Sequence, residues 1–155
     1  MILDNNAVFS GSIVGSTVTG QALTTGTITS TNVYDLQVAR DIMKGLNLVI
    51  PIEVVTTFVG GTSIQAQLVE ADDAAISVNV TVLSTTGATP TANLTAGSRF
   101  VLEGGRVDPF PNRRYLAVQY VIVGTYTGGA VFAALQPNAG ISDVPENYAS
   151  GFTVL

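Results

Sequence analysis

From Arg114 to Val123 the sequence reads RYLAVQYVIV, with a large apolar residue at every second position. Side chains alternate across a β-strand with period two. Leu116, Val118, Tyr120 and Ile122 therefore share one face, and Tyr115, Ala117, Gln119, Val121 and Val123 the other. The second face is also fairly apolar, so the strand is expected to be central and covered on both sides. GTYTGG follows, then GAVFAAL. That pattern predicts a hairpin whose two strands are joined by a Gly-rich connection.

The same alternation recurs along the chain. TSIQAQLVE places Ile64, Ala66 and Leu68 on one face, and ISVNVTVL does the same for Val78, Val80 and Val82. Further strands are predicted over Gln21–Thr25, Thr27–Asp35, Leu46–Phe58, Ser98–Leu102 and Gly151–Val154. Turn signals separate most of them: VGG at 59–61, EADDA at 70–74, TTGATP at 85–90, EGGRVDPFPN at 103–112 and QPNAG at 136–140. About eight short strands at this spacing predict an all-β, antiparallel, jelly-roll-like β-sandwich. Only DLQVARDIMKG, residues 35–45, carries a helical pattern, and it is short enough to be an irregular crossover instead. SGSIVGSTVTG, residues 10–20, reads as a flexible loop or insertion. Residues 1–155 make one domain, with a candidate N-terminal arm over 1–20 and a loop-like segment over 137–155.

Composition narrows the function. Hydrophobic residues make up 46% of the chain and charged residues only 11%, against about 25% charged in an average soluble domain. Thr, Ser, Asn, Gln and Gly take the place of the missing charge, a mixture that suits pleated, extended structure. The net charge is −5, with six basic residues spread over the chain, which does not make a phosphate-tracking groove and argues against nucleic-acid binding. Cys and His are both absent. That removes thiolate nucleophiles, disulfides, the commonest general acid–base group and the commonest transition-metal ligand. No cofactor or metal is expected. No apolar run reaches the roughly 20 residues of a membrane-spanning helix, and MILDNN lacks the features of a secretory signal, so synthesis in the cytoplasm is expected.

Few motifs compete for a chemical role. Asp72 and Asp73 form one carboxylate pair without the spaced ligands of a calcium loop, so a turn is the better reading. Carboxylates scattered from Asp4 to Glu146 could assemble a glycosidase-like pair. The absence of Trp and the low aromatic content leave little from which to build a sugar-stacking cleft, and no enzymatic activity is expected. Gly104–Gly105 and Gly128–Gly129 lack phosphate-loop spacing and read as turns.

GGRVDPFPNRR is the most distinctive loop. Its residues Arg106, Asp108, Phe110 and Arg113 are the candidate partner contact: an aromatic anchor between prolines, beside arginines suited to a partner's carboxylates. The competing reading is a solvated loop in which Arg113 or Arg114 pairs with Asp108. Met1, Ile2, Leu3 and Phe9 are the candidate arm reaching a neighbouring subunit. Alternatively they belong to an N-terminal strand in the chain's own sheet.

Taken in order, MILD-x-x-x-x-F, STNVYDL, RYLAVQYVIVG with its Gly-rich continuation into GAVFAAL, and YASGFTV resemble the capsid cement, or decoration, proteins of tailed phages, of the type first described in a Bordetella phage. The resemblance covers most of the chain, and SGSIVGSTVTG looks like additional material. It implies a jelly roll on the outer surface of an icosahedral head, without catalysis. It also implies a homo-oligomer, a dimer or trimer, that bridges major capsid proteins of the HK97-type fold. Arg114, Tyr115 and Leu116 match the family pattern as the start of a core strand. A tail or fibre receptor-binding module is the alternative, although elongated repeats and a coiled-coil stem are missing from the sequence.

Overall fold

The structure is a computed structural model that describes residues 7–15, 17–37, 48–104 and 112–137. Thirteen strands are found among these residues, β1 (Val8–Ser10), β2 (Ser12–Val14), β3 (Thr17–Thr19), β4 (Gln21–Ala22), β5 (Thr25–Thr29), β6 (Tyr34–Asp35), β7 (Leu48–Gly60), β8 (Ser63–Ala71), β9 (Thr81–Thr85), β10 (Thr89–Pro90), β11 (Arg99–Gly104), β12 (Tyr115–Ala134) and β13 (Gln136–Pro137). A single 3-10 turn is found at Thr91–Asn93.

One long ribbon organises everything else. β12 is continuous for 20 residues, so the hairpin predicted at GTYTGG does not exist. Its partner is the run β7–β8, which is equally extended. Tyr115 faces Ala71 and Val123 faces Ser63 in one half. Tyr126 faces Gly60 and Ala133 faces Ile52 in the other. The VGG stretch at 59–61 is likewise no hairpin turn. Both glycine-rich stretches lie at the same level of the ribbon and bend it together. There the two backbones are so close that a Cβ on Gly124 would sit 3.0 Å from the Gly61 Cα. Gly60, Gly61 and Gly124 all have positive φ, a region that costs L side chains energy and glycine almost none.

The corner divides the ribbon between two sheets. On one side β11 pairs with β7, and β1 and β4 pair with the second half of β12. On the other, β9 and β10 pair with β8, and β5 and β6 pair with the first half of β12. The sheets close on each other at their edges. Ser84 Oγ donates to the Glu103 carbonyl between β9 and β11. On the opposite side Asn32 N donates to the Phe9 carbonyl over 2.9 Å. The expected all-β antiparallel sandwich is thus nearly a closed barrel. It has more strands than the eight read from sequence, because its edges are built from pieces of two to five residues.

The core fills the space between the sheets. Ile50, Ile52, Val54 and Phe58 of β7 and Ile64, Ala66 and Leu68 of β8 meet Leu116, Val118 and Tyr120 of β12, all buried. Each large aliphatic side chain buried in this way contributes about 1.5–3 kcal/mol. In β12 even-numbered residues face the core up to Tyr126, then odd-numbered Val131 and Ala133 take over. A one-residue slip is required to keep both halves facing inward. The register shifts between Gly128, Ala130 and Val131 supply it. Within Tyr115–Val123 the outer face is covered only near Ala117, which packs with Val69, Ala71 and Ile76, so the expectation of cover on both faces of this stretch holds at one end alone.

Three further expectations are corrected. Residues 10–20 are no flexible loop among their described members, since β2 and β3 pair as a hairpin with Ile13 opposite Val18. ISVNVTVL forms a strand only from Thr81. Ile76 and Asn79 have positive φ, which breaks the extended run before it, and Val78, Val80 and Val82 are exposed rather than inward. Residues 35–37 begin in β6, not in a helix. Residues 38–45, and the strand predicted at Gly151–Val154, lie outside the described residues.

Candidate functional site

Arg113 and Arg114 precede β12 at one end of the barrel, where both arginines and the described carboxylates Asp35, Glu70 and Asp72 have partners within the chain. Glu70 is the last inward-facing residue of β8 and is only 2% exposed. One of its carboxylate oxygens accepts hydrogen bonds from Asn112 N at 2.6 Å and Arg113 N at 3.1 Å. The Arg113 guanidinium grips both oxygens of Asp72, at 2.8 and 2.9 Å. That contact is made by the single nitrogen Nη1. Arg114 binds Asp35 with two nitrogens, Nε to Oδ1 at 2.6 Å and Nη2 to Oδ2 at 2.7 Å, and lies over the Tyr115 ring. The Arg114 pair has the bidentate geometry that is the strong form of the arginine–carboxylate contact.

The electrostatics follow from these contacts. The Arg114 hydrogen bonds hold the Asp35 carboxyl down to about 2. Asp72 is lowered by the Asn79 side-chain amide and then by Arg113. Asp73 is lowered by the backbone N–H of Val78, followed by Ser77. Asp73 therefore closes a turn over 73–78, with its Oδ1 accepting from Ser77 N and Val78 N at 2.8 and 2.7 Å. The turn reading of Asp72–Asp73 is the one found, and Asp72 doubles as the Arg113 counter-ion.

Of the candidate contact residues, Arg106, Asp108 and Phe110 lie outside the described residues. Arg113 pairs with Asp72 through its Nη1, while its other candidate partner, Asp108, lies outside the described residues. Met1, Ile2 and Leu3 also lie outside the described residues. Phe9 is no arm residue: it is fully buried in the core and stacks edge-on against Tyr34 with ring centroids 4.5 Å apart. β1 pairs with the chain's own β12, which is the alternative reading, an N-terminal strand in the chain's own sheet, for the part of the segment that is described. Glu70 was missed as an anchor because in sequence it looks like any other acidic turn residue. Its only signal was an inward parity shared with Ile64, Ala66 and Leu68.

A second feature lies on the outer face of the first sheet. The β2–β3 hairpin folds over it, with Ile13 packed against Val8, Phe132 and Ala134. A Cβ on Gly20 would meet Ala130 Cβ at 2.9 Å and Val55 Cβ at 3.1 Å, so glycine lets the base of the hairpin lie flat on the sheet. Between hairpin and sheet is a cleft of about 280 Å³, lined by Val18, Val55, Phe132 and the Glu53–Arg99 pair. Arg99 Nη2 is 2.6 Å from Glu53 Oε2, which neutralises the cleft's two charges against each other. Among the described residues, no group of three or more acidic side chains is placed to hold a metal ion.

The family model for Bbp16, a family named after a Bordetella phage protein, matches residues 17–135. This chain belongs to the Bbp16 family. The Bbp16 match runs from β3 to the residue after β12 and so contains the whole bent ribbon, the Glu70 anchor and both arginine–aspartate pairs. β1, with the core residue Phe9, and β2, the first strand of the hairpin, precede it. No curated protein matches the chain. Among the described residues no helix is long and apolar enough to cross a membrane.

Proposed function

We propose that this protein is a capsid cement protein that binds the outer surface of an icosahedral phage head and bridges neighbouring major capsid proteins of the HK97-type fold. Membership of the Bbp16 family carries the proposal. The physical character of the molecule supports it. A doubly paired ribbon, a nearly closed sandwich and arginines tied to carboxylates make a stiff body suited to bearing load without chemistry. The protein acts by mass action: whatever binds the assembled shell and not its free subunits stabilises the shell. It does so as a homo-oligomer, without catalysis and without a cofactor, and contacts repeated across capsomer boundaries add avidity.

The test is the copy number of this chain in gradient-purified particles, measured against the major capsid protein by quantitative mass spectrometry. Hundreds of copies per particle are expected. A handful would move the protein to the tail, and absence from particles would overturn the proposal. The loop preceding Asn112 is tested separately with Arg106→Ala and Phe110→Ala, which should weaken binding to undecorated heads. Arg113 is left unchanged in that experiment, because its loss would break the pair with Asp72 and confuse contact with folding.

A further inference from the structure

The cleft beside the β2–β3 hairpin is part of a longer groove on the outer face of the first sheet. β7 turns Val49, Pro51, Glu53 and Val55 outward, because Leu48, Ile50, Ile52 and Val54 fill the core. The last three of the outward set line the cleft. It is open to one side: Val18 on the hairpin is 45% exposed. Apart from the Glu53–Arg99 pair, its lining is apolar. At about 280 Å³ it falls just below the roughly 300–1,000 Å³ of small-molecule sites, and it suits one or two inserted side chains. Val49 continues the groove two residues beyond Pro51. It points outward, opposite the exposed Glu103, yet is only 2% exposed. The apolar clusters of the described residues do not include it.

We propose that residues 148–155, YASGFTVL, pass over Val49 and seat Phe152 and Val154 in this cleft of the same chain. The path starts in the right place. β13 pairs Gln136 with Val49 and Pro137 with Leu48, so the described chain ends at the Val49 end of the groove. The reach is ample. Glu53 is four residues from Val49 along β7, about 13 Å at 3.3 Å per residue. Thirteen residues separate Pro137 from Gly151, enough for about 40 Å of extended chain. A reversal of direction fits within that length, and Asn138, Gly140 and Pro145 are residue types that favour one.

Charge selects the occupant. Glu53 and Arg99 neutralise each other, so an ionised side chain entering the cleft is stripped of water and meets no spare counter-charge. YASGFTVL carries no charge. The other stretches outside the described residues do: Asp4 in 1–6, Arg40, Asp41 and Lys44 in 38–47, and Arg106 and Asp108 in 105–111. The pattern also fits a one-sided groove. Phe152 and Val154 share one side of an extended chain and Thr153 takes the other, so the apolar pair turns down and the threonine faces water. Seated this way, the segment is a strap across the hairpin, β7 and the end of β12. It takes an apolar groove off the outer surface, where it would otherwise invite association.

The chain has neither Trp nor Cys, which leaves two clean probes for the full chain, free of capsids. Phe152→Trp introduces a single indole. Its emission should be blue-shifted and several-fold less quenched by acrylamide than that of Val14→Trp, placed at a residue 73% exposed. It should not change with protein concentration. Adding Val18→Asp in the cleft wall should shift the emission to the red and raise quenching. Adding Val123→Asp, on the outer face of the second sheet, should do neither. Circular dichroism checks that each variant is folded. Independently, Val18→Cys with Val154→Cys should close an intramolecular disulfide on mild oxidation, and Val123→Cys with Val154→Cys should not. A solvent-exposed emission from Phe152→Trp would overturn the inference. So would a buried emission that Val18→Asp leaves unmoved, one that appears only as concentration rises, or failure of the first crosslink. None of these outcomes bears on the copy number in particles, so the two proposals fail independently.

Discussion

At Glu70 a carboxylate is buried at the open end of a barrel, and its use is to receive two backbone N–H groups of the segment leading into β12. Glu70→Ala strips both donors of their partner. A buried donor left unsatisfied costs about 1–3 kcal/mol, and urea unfolding should show a loss of that order or larger. Glu70→Gln keeps one acceptor and should lose less. Tyr120 is the polar counterpart inside the core, with its hydroxyl 2.7 Å from Ser10 Oγ. Burial pushes its ionisation up, against the smaller opposing effect of that hydrogen bond. Tyr120→Phe leaves Ser10 buried without its partner, and a loss of about 1–2 kcal/mol is expected in the same assay. Asp35, Asp72 and Asp73 all have lowered folded-state values. Their contribution is complete above the ordinary carboxylate value of 3.8 and is lost as pH falls below it, towards about 2 for Asp35. Melting temperature should therefore fall on acidification through that window, and Asp35→Asn should flatten the fall.

The decisive element is the bent ribbon of β7–β8 and β12. Tyr126 fills the inside of its corner, edge-on to Phe58 at 4.9 Å and hydrogen-bonded through its hydroxyl to Thr91 Oγ1 at 2.9 Å. A Cβ on Gly61 would stand 2.5 Å from the Tyr126 ring, at a residue whose φ is +58. Gly61→Ala combines overpacking with backbone strain and should cost about 1–3 kcal/mol by thermal or urea unfolding. Gly15, with no neighbour near its absent Cβ, is also at positive φ but lies in an exposed turn. Gly15→Asn should be nearly neutral, because asparagine tolerates the left-handed region. The contrast separates glycine needed for close approach from glycine needed for conformation alone.

For the whole molecule, the balance of charge matters more than any single site. All three arginines among the described residues are tied to carboxylates of the same chain, so a partner finds neutral or acidic surface there. Exposed pairs of this kind are screened by salt, and modest salt should change stability little while leaving the barrel intact. On a shell, decoration should persist at salt concentrations that weaken purely ionic contacts. Retention of this chain on purified particles across a salt series checks that expectation.

The sequence alone determined the strand character, the antiparallel all-β class and much of the core, because period-two burial is a local property: Ile64, Ala66, Leu68, Leu116, Val118 and Tyr120 are inward as their alternation requires. It also carried the family, through the order of its segments. It did not determine where the chain turns. GTYTGG and VGG have the composition of hairpin loops, and only their meeting at one level of one ribbon makes them a corner instead. It did not determine the inward face of ISVNVTVL either, where two left-handed residues reset the parity. The partners of Arg113, Arg114 and Glu70 are 41, 79 and 42 residues away. Such pairings are set by β8 and β6 lying beside the start of β12, and no local pattern encodes them.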